Sequence, residues 1–481
     1  MVRVRFAPSP TGYIHIGNAR TALFNYLFAQ KEGGKFLLRI EDTDAARSKD
    51  EYIYALYEDL SWLGIKWQEG PNVGGPYGPY RQTERVHIYR EFSEKLIKGG
   101  KAYHCYCTEA ELEAHRQEAE LKKLPPRYNN RCRTLSNEER EKRIRQGVKP
   151  ALRFRIDDPE LTLIDLIRGK VDFNLDQMVG DFVIMKQDNT PTFHLAVCVD
   201  DGLMKITHVI RGEDHLSNTP RHILLFRAMG FEPPKFAHMS LTASPTGGML
   251  SKREGANSIR EYRELGYPAS GVVNYLSLLG WSSSDTQEIF TMDELKQRFD
   301  LAHMRKSSAI FDRTKLEWVC GMHLRKLPDD EFAQQAFQYI NKHALLPPGT
   351  IEKNSEWYRR AVLLFKDNIH NYAALKDRLA MFEEPLKIQD TDAVQSKEIA
   401  ELLDSAAEAL EHLPGTSADF WQEWTAEFKK KTKLKGKDLF IPLRVALSGR
   451  KEGPELRRLV ELLGRKRSLE RLREARKTIS Q

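Results

Sequence analysis

The sequence lacks any apolar stretch close to the roughly 20 uncharged residues that a membrane-spanning helix requires. It also lacks the apolar core of a signal peptide, because charged residues interrupt the apolar ones in the opening segment MVRVRFAPSPTG. Cysteine is scarce, since five residues among 481 are too few for a disulfide scaffold. These absences predict a protein of the reducing cytoplasm that does not bind a membrane.

What is present is a long chain with an uneven distribution of charge. At 481 residues, of which 41% are hydrophobic, the chain is large enough for several domains. Residues 421–481 hold nine Lys and nine Arg against eight acidic residues, a net +10, so the other 420 residues sum to −3 of the total +7. A basic end on a near-neutral body predicts contact with a polyanion, and a solvated basic tail is the alternative.

The beginning of the chain alternates between strand and helix patterns. Val2–Phe6 alternates in polarity and Lys35–Ile40 is a short apolar run, both typical of strands. Asn18–Lys31 has its apolar residues at helical spacing, and a second helix is predicted near Lys49–Leu63. This order predicts a doubly wound parallel α/β sheet.

The pattern changes between about residues 95 and 190. A cysteine-bearing segment is followed by a charged helical stretch, Glu109–Lys123, and by a strand candidate, Leu152–Ile156, which together predict an insertion. The α/β pattern resumes with Met204–Arg211 and Lys235–Leu241. From about residue 260 onward the sequence predicts one helix after another.

The turn after the first strand, residues 8–17, has the properties of a nucleotide-binding loop. Prolines stiffen it, Gly12 and Gly17 allow backbone to approach a ligand closely, and the next helix offers N–H groups and a positive dipole end. The turn is neither the G-x-G-x-x-G of dinucleotide-binding proteins nor a Walker loop.

This turn resembles the HIGH signature of class I aminoacyl-tRNA synthetases in its glutamyl form, with Asn18 in place of the final His. The resemblance extends over nearly the whole chain, up to Pro442-Leu443-Arg444, and the motifs follow one another in the family's order and spacing. The sequence is therefore identified as a member of the glutamyl-tRNA synthetase family. The further matching motifs are Arg39–Asp44, Gly78–Gln82, Val209–His215 and, at the place of the KMSKS loop, Met249–Arg253.

The resemblance implies an architecture and a set of partners. The implied partners are ATP with Mg²⁺, L-glutamate and tRNA(Glu). The expectation from the family is a monomer, and the sequence leaves open whether tRNA(Gln) is charged as well. The architecture is a multidomain α/β plus all-α protein. Its implied parts are a Rossmann-type catalytic domain in two halves (1–95 and 196–258), an inserted acceptor-binding domain (96–195), a stem-contact linking domain (259–325) and a helical anticodon-binding region (326–481).

Activation of glutamate needs positioning and charge stabilisation rather than a protein nucleophile, because the substrate carboxylate itself attacks the ATP α-phosphate. His15 can donate to a phosphate oxygen, and Lys252, supported by Ser251 and Arg253, can neutralise the leaving pyrophosphate. Met249 replaces the first Lys of the loop motif, which removes one expected phosphate contact. The alternatives are that His15 only caps a helix and that Lys252-Arg253 is a surface pair. The implied ATP-binding set is Pro8, Gly12, His15, Gly17, Asn18, Met249, Leu250, Ser251, Lys252 and Arg253.

For the amino acid, Arg5 and Arg211 are the cations available to a substrate with two carboxylates. The resemblance places these two around glutamate together with Ser9, Phe193 and Glu41, and Glu41 faces the ammonium. Phe193 stands where the family has a tyrosine, so one hydroxyl is missing. The alternatives are that Arg5 lies at a strand edge on the surface and that Arg211 only braces the acidic residues that follow it, Glu213 and Asp214.

A cluster of cysteines predicts a structural zinc site. Cys105 and Cys107 are one residue apart, and a closed zinc site needs four ligands. Thr134 stands where some glutamyl enzymes have a His ligand in a Cys-x-Cys … Cys-x-His site. Related proteins instead use Cys-x-Cys … Tyr-x3-Cys, which Tyr128 and Cys132 complete here. The alternative is three reduced cysteines in a degenerate site.

Three other functions remain to be distinguished. Nucleotidyltransferases that make small-molecule adenylates share HIG-type loops but usually lack a long helical C-terminal region and a basic end. A tRNA-modifying paralogue that glutamylates a queuosine base would stop near residue 300, about 180 residues earlier. A non-catalytic tRNA-binding protein would not need both the HIG and SKR loops.

Overall fold

The computed structural model of the protein describes residues 1–44, 46–124, 127–175, 179–244, 258–413 and 420–479. The chain divides into two compact units, Met1–Glu264 with Val272–Leu316, and Leu265–Gly271 with Glu317–Gln481. The first is mixed α/β and the second is helical in its described residues, which confirms the predicted sequence of fold types. Among the described residues, no helix combines the length and the apolar character needed to span a bilayer.

The strands belong to the first unit and form parallel and antiparallel groups. They are β1 (Arg3–Phe6), β2 (Lys35–Leu38), β3 (Ala102–Cys105), β4 (Ala151–Phe154), β5 (Glu160–Asp165), β6 (Gly169–Asn174), β7 (Phe182–Met185), β8 (His208–Gly212), β9 (Lys235–Met239), β10 (Thr242–Ala243) and β11 (Ala309–Ile310). The helices up to residue 326 are α1 (Ile16–Lys31), α2 (Asp50–Trp62), α3 (Val86–Lys98), α4 (Glu109–Leu121), α5 (Asn137–Arg145), α6 (Phe193–Leu203), α7 (Thr219–Ala228), α8 (Ile259–Glu264), α9 (Ala269–Leu278), α10 (Met292–Arg298) and α11 (Arg313–Lys326).

Two pairs of parallel strands lie side by side in the first unit. β1 pairs with β2, and β8 pairs with β9 in a register that sets Arg211 opposite His238. Thr207, just before β8, donates its backbone N–H to the Arg3 carbonyl at 2.9 Å, so β8 begins beside β1. Buried parallel strands need apolar side chains on both faces, and Val4 and Ile210 are fully buried. The carboxyl ends of parallel strands are where α/β proteins bind ligands.

Several element boundaries differ from the sequence prediction by a few residues, and two of these differences have a clear local cause. Helix α1 begins at Ile16 rather than Asn18, because His15 caps it with its own ring nitrogen. Strand β8 begins at His208 rather than Met204, because the Met204 N–H still bonds to the Asp200 carbonyl at the end of α6. Lys205 then turns the chain with a φ of 58°.

The segment predicted as an insertion contains its own sheets. β3, β4 and β7 form an antiparallel sheet, and β5 and β6 form a two-stranded antiparallel pair. The residue after β5, Leu166, donates its N–H to the Phe236 carbonyl in β9 at 2.8 Å. The end of β5 is therefore fixed against the parallel pair that carries Arg211.

The second unit packs its helices around a continuous apolar core. Trp424 is fully buried in this core, and its indole Nε1–H donates to the Ala406 carbonyl at 2.8 Å. Buried indole groups need such a partner. The remaining helices are α12 (Asp329–Lys342), α13 (Thr350–Lys353), α14 (Ser355–Leu363), α15 (Leu375–Leu379), α16 (Lys397–His412), α17 (Phe420–Lys430), α18 (Lys437–Ser448) and α19 (Leu456–Thr478).

Candidate functional site

The turn that follows β1 is tied to the chain that follows β2. The Pro8 carbonyl accepts from the Glu41 N–H at 3.1 Å, and the Pro10 carbonyl accepts from the Lys49 N–H at 3.2 Å. Ser9, between the two prolines, is exposed. No described atom lies within 4 Å of the position that a Cβ on Gly12 would occupy. The turn therefore has a fixed backbone and open space beside it.

His15 is held in a defined tautomer at the start of α1. Its Nδ1 accepts from the Gly17 N–H at 3.1 Å. Burial of part of the ring lowers the pKa of His15, so the neutral form is favoured. With Nδ1 accepting, the proton of the neutral ring is on Nε2, which can donate to an anion. A Cβ on Gly17 would lie 3.0 Å from Cε1 of this ring, and Asn18 beside it is half-buried.

The second segment that is predicted to bind ATP lies outside the described residues. This applies to Met249, Leu250, Ser251, Lys252 and Arg253. The described chain resumes at Ser258, which forms an antiparallel bridge with His15. The Ile259 N–H also donates to the Ile14 carbonyl at 2.9 Å. Residue 258 therefore adjoins the turn that contains His15.

A cluster of buried charged side chains lies next to this turn. It contains four guanidinium groups and three carboxylates, each at most 7% exposed. Buried charges are normally compensated by partners, so a buried guanidinium without a carboxylate partner requires an explanation. The members are Arg5, Arg39, Arg85, Arg211, Glu41, Asp200 and Asp201.

Asp201 links two of the arginines. It accepts from Arg5 Nε at 3.2 Å and from Arg39 Nη1 at 2.6 Å, and Arg39 Nη2 in turn donates to Glu41 Oε1 at 3.0 Å. Among the described residues, none accepts from the two terminal nitrogens of Arg5 or donates to Glu41 Oε2. These atoms remain available to a ligand that carries both an acidic and a basic group.

Asp200, the acidic residue next to Asp201, bonds to side chains in and just after the motif at residues 78–82. It accepts from Gln82 Nε2 at 3.0 Å, from Arg85 Nε at 2.6 Å and from the Tyr89 hydroxyl at 2.9 Å. The motif at 78–82 thus contributes a buried contact to Asp200.

Arg211 is a buried cation without a carboxylate partner among the described residues. Its Nε donates to His238 Nε2 at 3.2 Å, its Nη1 is 3.2 Å from His222 Nδ1, and its Nη2 donates to Thr219 Oγ1 at 2.8 Å. Burial first, and then the charge of Arg5, lower the pKa of Arg211 to about 10. An anion bound here would compensate this charge.

The contacts of Arg211 do not fit the alternative role of bracing the acidic residues Glu213 and Asp214. Glu213 pairs with Arg168, and Asp214 lies 3.7 Å from the His215 ring. Arg211 reaches only the backbone of this segment, through the His215 carbonyl at 3.3 Å.

Phe193 lies beside the histidines that contact Arg211. Its ring centroid is 5.5 Å from that of His215 and 5.6 Å from that of His222. His194, the next residue, bonds to His222 through ring nitrogens 3.1 Å apart. Residue 193 therefore contributes an apolar surface to this edge of the cluster and no hydroxyl.

The three predicted cysteine ligands converge in the insertion. Their sulfur atoms lie within 4.8 Å of one another, and the Cys107–Cys132 sulfurs are 3.5 Å apart. The Tyr128 hydroxyl is 3.5 Å from the sulfurs of both Cys105 and Cys107. Thr134 is exposed.

These residues fit a zinc ion. Sulfur ligands at about 2.3 Å in a tetrahedral site are about 3.8 Å apart, close to the separations here. The Arg153 guanidinium lies 3.8 Å from the centroid of the Tyr128 ring, where a cation would offset the negative charge of three thiolates.

Sequence reasoning missed the residues that hold the predicted ones in place. Asp201 and His238 lie in none of the matching motifs, and the sequence marks Arg39 only as the first residue of the motif Arg39–Asp44. One signal was available: two adjacent acids, Asp200 and Asp201, end the otherwise apolar helical segment FHLAVCVDDGL. Acidic residues in a buried helix need cationic partners.

Comparison with protein families gives two matches that together span most of the chain. Residues 1–318 match the family described as tRNA synthetases class I (E and Q), catalytic domain. Residues 331–476 match the family described as anticodon binding domain.

Individual proteins are similar over nearly the full length. The chain is 44% identical over 476 residues to glutamate–tRNA ligase 1 of Caldicellulosiruptor saccharolyticus, covering 98% of both chains. It is 42% identical to the glutamate–tRNA ligase of Bacillus subtilis, covering 98% of this chain and 99% of the other. A crystal structure of a glutamate tRNA ligase from Elizabethkingia meningosepticum, in complex with its amino acid, superposes with a TM-score of 0.87 at 34% identity and covers 99% of each chain.

Proposed function

The chain belongs to the glutamate–tRNA ligases of the class I aminoacyl-tRNA synthetases, and we propose that its buried Arg211 selects glutamate by receiving the side-chain carboxylate. The enzyme uses ATP to activate glutamate and joins it to tRNA(Glu). The observation that carries the proposal is a buried guanidinium that lacks a carboxylate partner among the described residues.

The charges around Arg211 match the charges of glutamate. Glutamate at neutral pH has two carboxylates and one ammonium, and the cluster offers it the terminal nitrogens of Arg5, the guanidinium of Arg211 and the free oxygen of Glu41. Arg5 donates to the substrate from a position beside Arg211, and Glu41 Oε2 accepts from the substrate ammonium. The α-carboxylate must reach the ATP α-phosphate, so the side-chain carboxylate is the one left for the buried guanidinium groups. Ser9 and Phe193 complete the glutamate pocket.

His15 and the SKR segment act on the nucleotide. The Nε2–H of His15 donates to a phosphate oxygen, and Pro8, Gly12, Gly17 and Asn18 shape the space for ATP. Lys252, with Ser251 and Arg253, stabilises the charge that develops on the leaving pyrophosphate. Met249 and Leu250 approach ATP from the same segment. Mg²⁺ accompanies ATP, because the phosphates carry more charge than these side chains offset.

The domain divisions are part of the same proposal. The parallel pairs form a Rossmann-type sheet in two halves, 1–95 and 196–258. The sheets of 96–195 form an insertion that contacts the acceptor end of tRNA. Residues 259–325 contact the tRNA stem, and 326–481 read the anticodon.

Pyrophosphate exchange tests the proposed function. Exchange between ATP and pyrophosphate should depend on glutamate, and the charged product should be tRNA carrying glutamate. A tRNA-modifying paralogue would attach glutamate to a base instead, and a binding protein would show no exchange. Failure of glutamate to drive exchange, with tRNA present, would exclude the ligase function.

We also propose that Cys105, Cys107, Tyr128 and Cys132 hold one structural zinc ion. The ion supplies a cross-link between β3 and the turn that contains Tyr128 and Cys132. Since metal binding is coupled to local folding, removal of the ion should loosen residues 100–135.

Elemental analysis of protein purified without added metal should find about one zinc per chain. Cys105→Ser should lose it and should become sensitive to proteases within residues 100–135. Cys320→Ser is the matched control, because Cys320 is equally buried but lies outside the cluster. Well-folded, active protein without zinc would contradict the proposal.

The basic C-terminal end is proposed to bind tRNA phosphates. Lys433, Lys435 and Lys437 are exposed and form no ion pair with a described residue. Replacing all three with Gln should weaken tRNA binding and should lower the salt dependence of log K by roughly 0.7–0.9 per lost phosphate contact. An unchanged tRNA affinity and salt slope would assign these lysines to a solvated tail.

A further inference from the structure

We propose that Asp165 is a positioning residue for glutamate selection, because it fixes the proton of His238 and thereby the orientation of the Arg211 guanidinium. This inference rests on the proposed role of Arg211. Asp165 is the last residue of β5, in the predicted insertion, and His238 lies in β9. Neither residue belongs to the proposed glutamate pocket.

Asp165 is a buried carboxylate that acts only as a hydrogen-bond acceptor. Its Oδ1 accepts from the backbone N–H groups of Ile167 at 2.9 Å and Arg168 at 2.8 Å. Its Oδ2 accepts from the His238 backbone N–H at 3.1 Å and from His238 Nδ1 at 2.6 Å. Burial acts to raise the pKa of Asp165, but these bonds outweigh it and the net pKa is lowered. Asp165 therefore stays ionised at neutral pH.

An ionised Asp165 determines which nitrogen of His238 carries the proton. Because the carboxylate has no proton to give, Nδ1 of His238 must be the donor in this bond. Burial lowers the pKa of His238, so the ring is neutral and its Nε2 is left as an acceptor. The Arg211 Nε–H donates to this acceptor at 3.2 Å, and the Thr219 hydroxyl oxygen lies 3.0 Å from the same nitrogen.

The acceptor on His238 orients the guanidinium. Arg211 and His238 are direct partners in the β8–β9 register, so the contact follows from strand pairing. With Nε bonded to His238 and Nη2 to Thr219, the planar group cannot rotate, and the N–H of Nη1 that does not face His222 is left for the substrate. The guanidinium has five N–H donors in one rigid plane. The bonds that four of them form therefore determine where the fifth points.

Asp165→Asn reverses this arrangement. An asparagine that keeps its oxygen towards the Ile167 and Arg168 amides presents its NH₂ group to His238 Nδ1, and it also loses the bond that the His238 backbone N–H donates to Oδ2. The ring must then accept at Nδ1 and carry its proton on Nε2. That proton can be donated to Thr219 Oγ1, 3.0 Å away, but Arg211 Nε–H loses its acceptor on His238. In serine proteases the same Asp-to-Asn change leaves the geometry intact and fails because the histidine has the wrong tautomer.

The test compares kinetics of glutamate and glutamine activation, with tRNA present, in full-length variants. Asp165→Asn should raise the KM for glutamate by roughly 10–100-fold, by analogy with the cost of losing a carboxylate that orients a metal-ligating histidine. The kcat at saturating glutamate and the weak activity with glutamine should change much less. Asp181→Asn is the matched control, because Asp181 is also buried and accepts from the Ile156 N–H at 2.9 Å, away from Arg211. It should lower the unfolding temperature without changing the choice of amino acid.

A second substitution separates positioning from general damage. His238→Gln offers a carbonyl oxygen to Arg211 whatever residue 165 is, so Asp165→Asn should add little to the KM in the His238→Gln background. Additive effects in the double variant, or an unchanged KM in folded Asp165→Asn, would overturn the proposal. Wild-type protein that does not activate glutamate would instead overturn the proposed function.

If Asp165→Asn does not fold, two His238 variants answer the same question. His238→Asn keeps a donor near Asp165 but has no acceptor that reaches Arg211, whereas His238→Gln keeps the acceptor. The proposal predicts a larger rise in KM for His238→Asn than for His238→Gln. Equal values would overturn it.

Discussion

Replacing Arg211 with Ala should lower glutamate activation by roughly 10³ or more, while the weak activation of glutamine falls far less. Glutamate and glutamine are nearly isosteric, so shape separates them poorly and charge must do so. A guanidinium is well compensated by a carboxylate but poorly by a neutral amide, and sites built for one polar partner discriminate by about 10⁴–10⁵. The measurement is pyrophosphate exchange with each amino acid, with tRNA present.

Two control variants isolate the effect of the Arg211 charge. Arg211→Lys keeps a cation but loses the planar set of donors to His238 and Thr219, so its activity should also be low. Arg471→Ala removes an equally buried guanidinium, which bonds to Glu384 and to the Leu447 carbonyl, and should leave the ratio of the two substrates unchanged. A proportional fall for both substrates in Arg211→Ala would give Arg211 a structural role only.

Lys252→Ala should cost roughly 10²–10³ in the rate of activation, as loss of one preorganised charge at a developing anion does. ATP affinity should change less than the rate, because the pyrophosphate gains its charge only as the bond breaks. Lys252→Arg, which keeps the charge, should retain more activity. The measurements are exchange rates at saturating substrates and ATP binding at equilibrium.

The outcome for Lys252 separates two kinds of binding. A loss confined to the rate shows stabilisation of the transition state, whereas equal losses in rate and in ATP affinity would mean that Lys252 binds ATP in the ground state. The second result would contradict the role assigned to it.

The sequence was most informative where a residue type and a local pattern coincide. Helix α1 and the parallel strands follow from apolar spacing, and the described structure confirms them. The turn at residues 8–17 could be interpreted because prolines and glycines have conformational meaning by themselves. Three cysteines at short spacing predicted a cluster, and the structure places their sulfurs within 4.8 Å.

The support of Arg211 could not be predicted in this way. Asp165 is 73 residues away from its partner His238, and their contact depends on where β5 ends against β9. His238 reaches Arg211 because of the β8–β9 register, which no local pattern in either strand specifies. Asp201 presents the same difficulty, since its partners Arg5, in β1, and Arg39, directly after β2, come from the beginning of the chain.

A crystal structure of the protein with L-glutamate bound tests the central claim most directly. The account predicts that the side-chain carboxylate lies about 2.7–2.9 Å from Nη1 of Arg211, the distance of a charge-assisted hydrogen bond. The ammonium should contact Glu41 Oε2, and the α-carboxylate should face the turn at residues 8–17. A side-chain carboxylate bound elsewhere, with Arg211 contacting only His222, His238 and Thr219, would contradict the account.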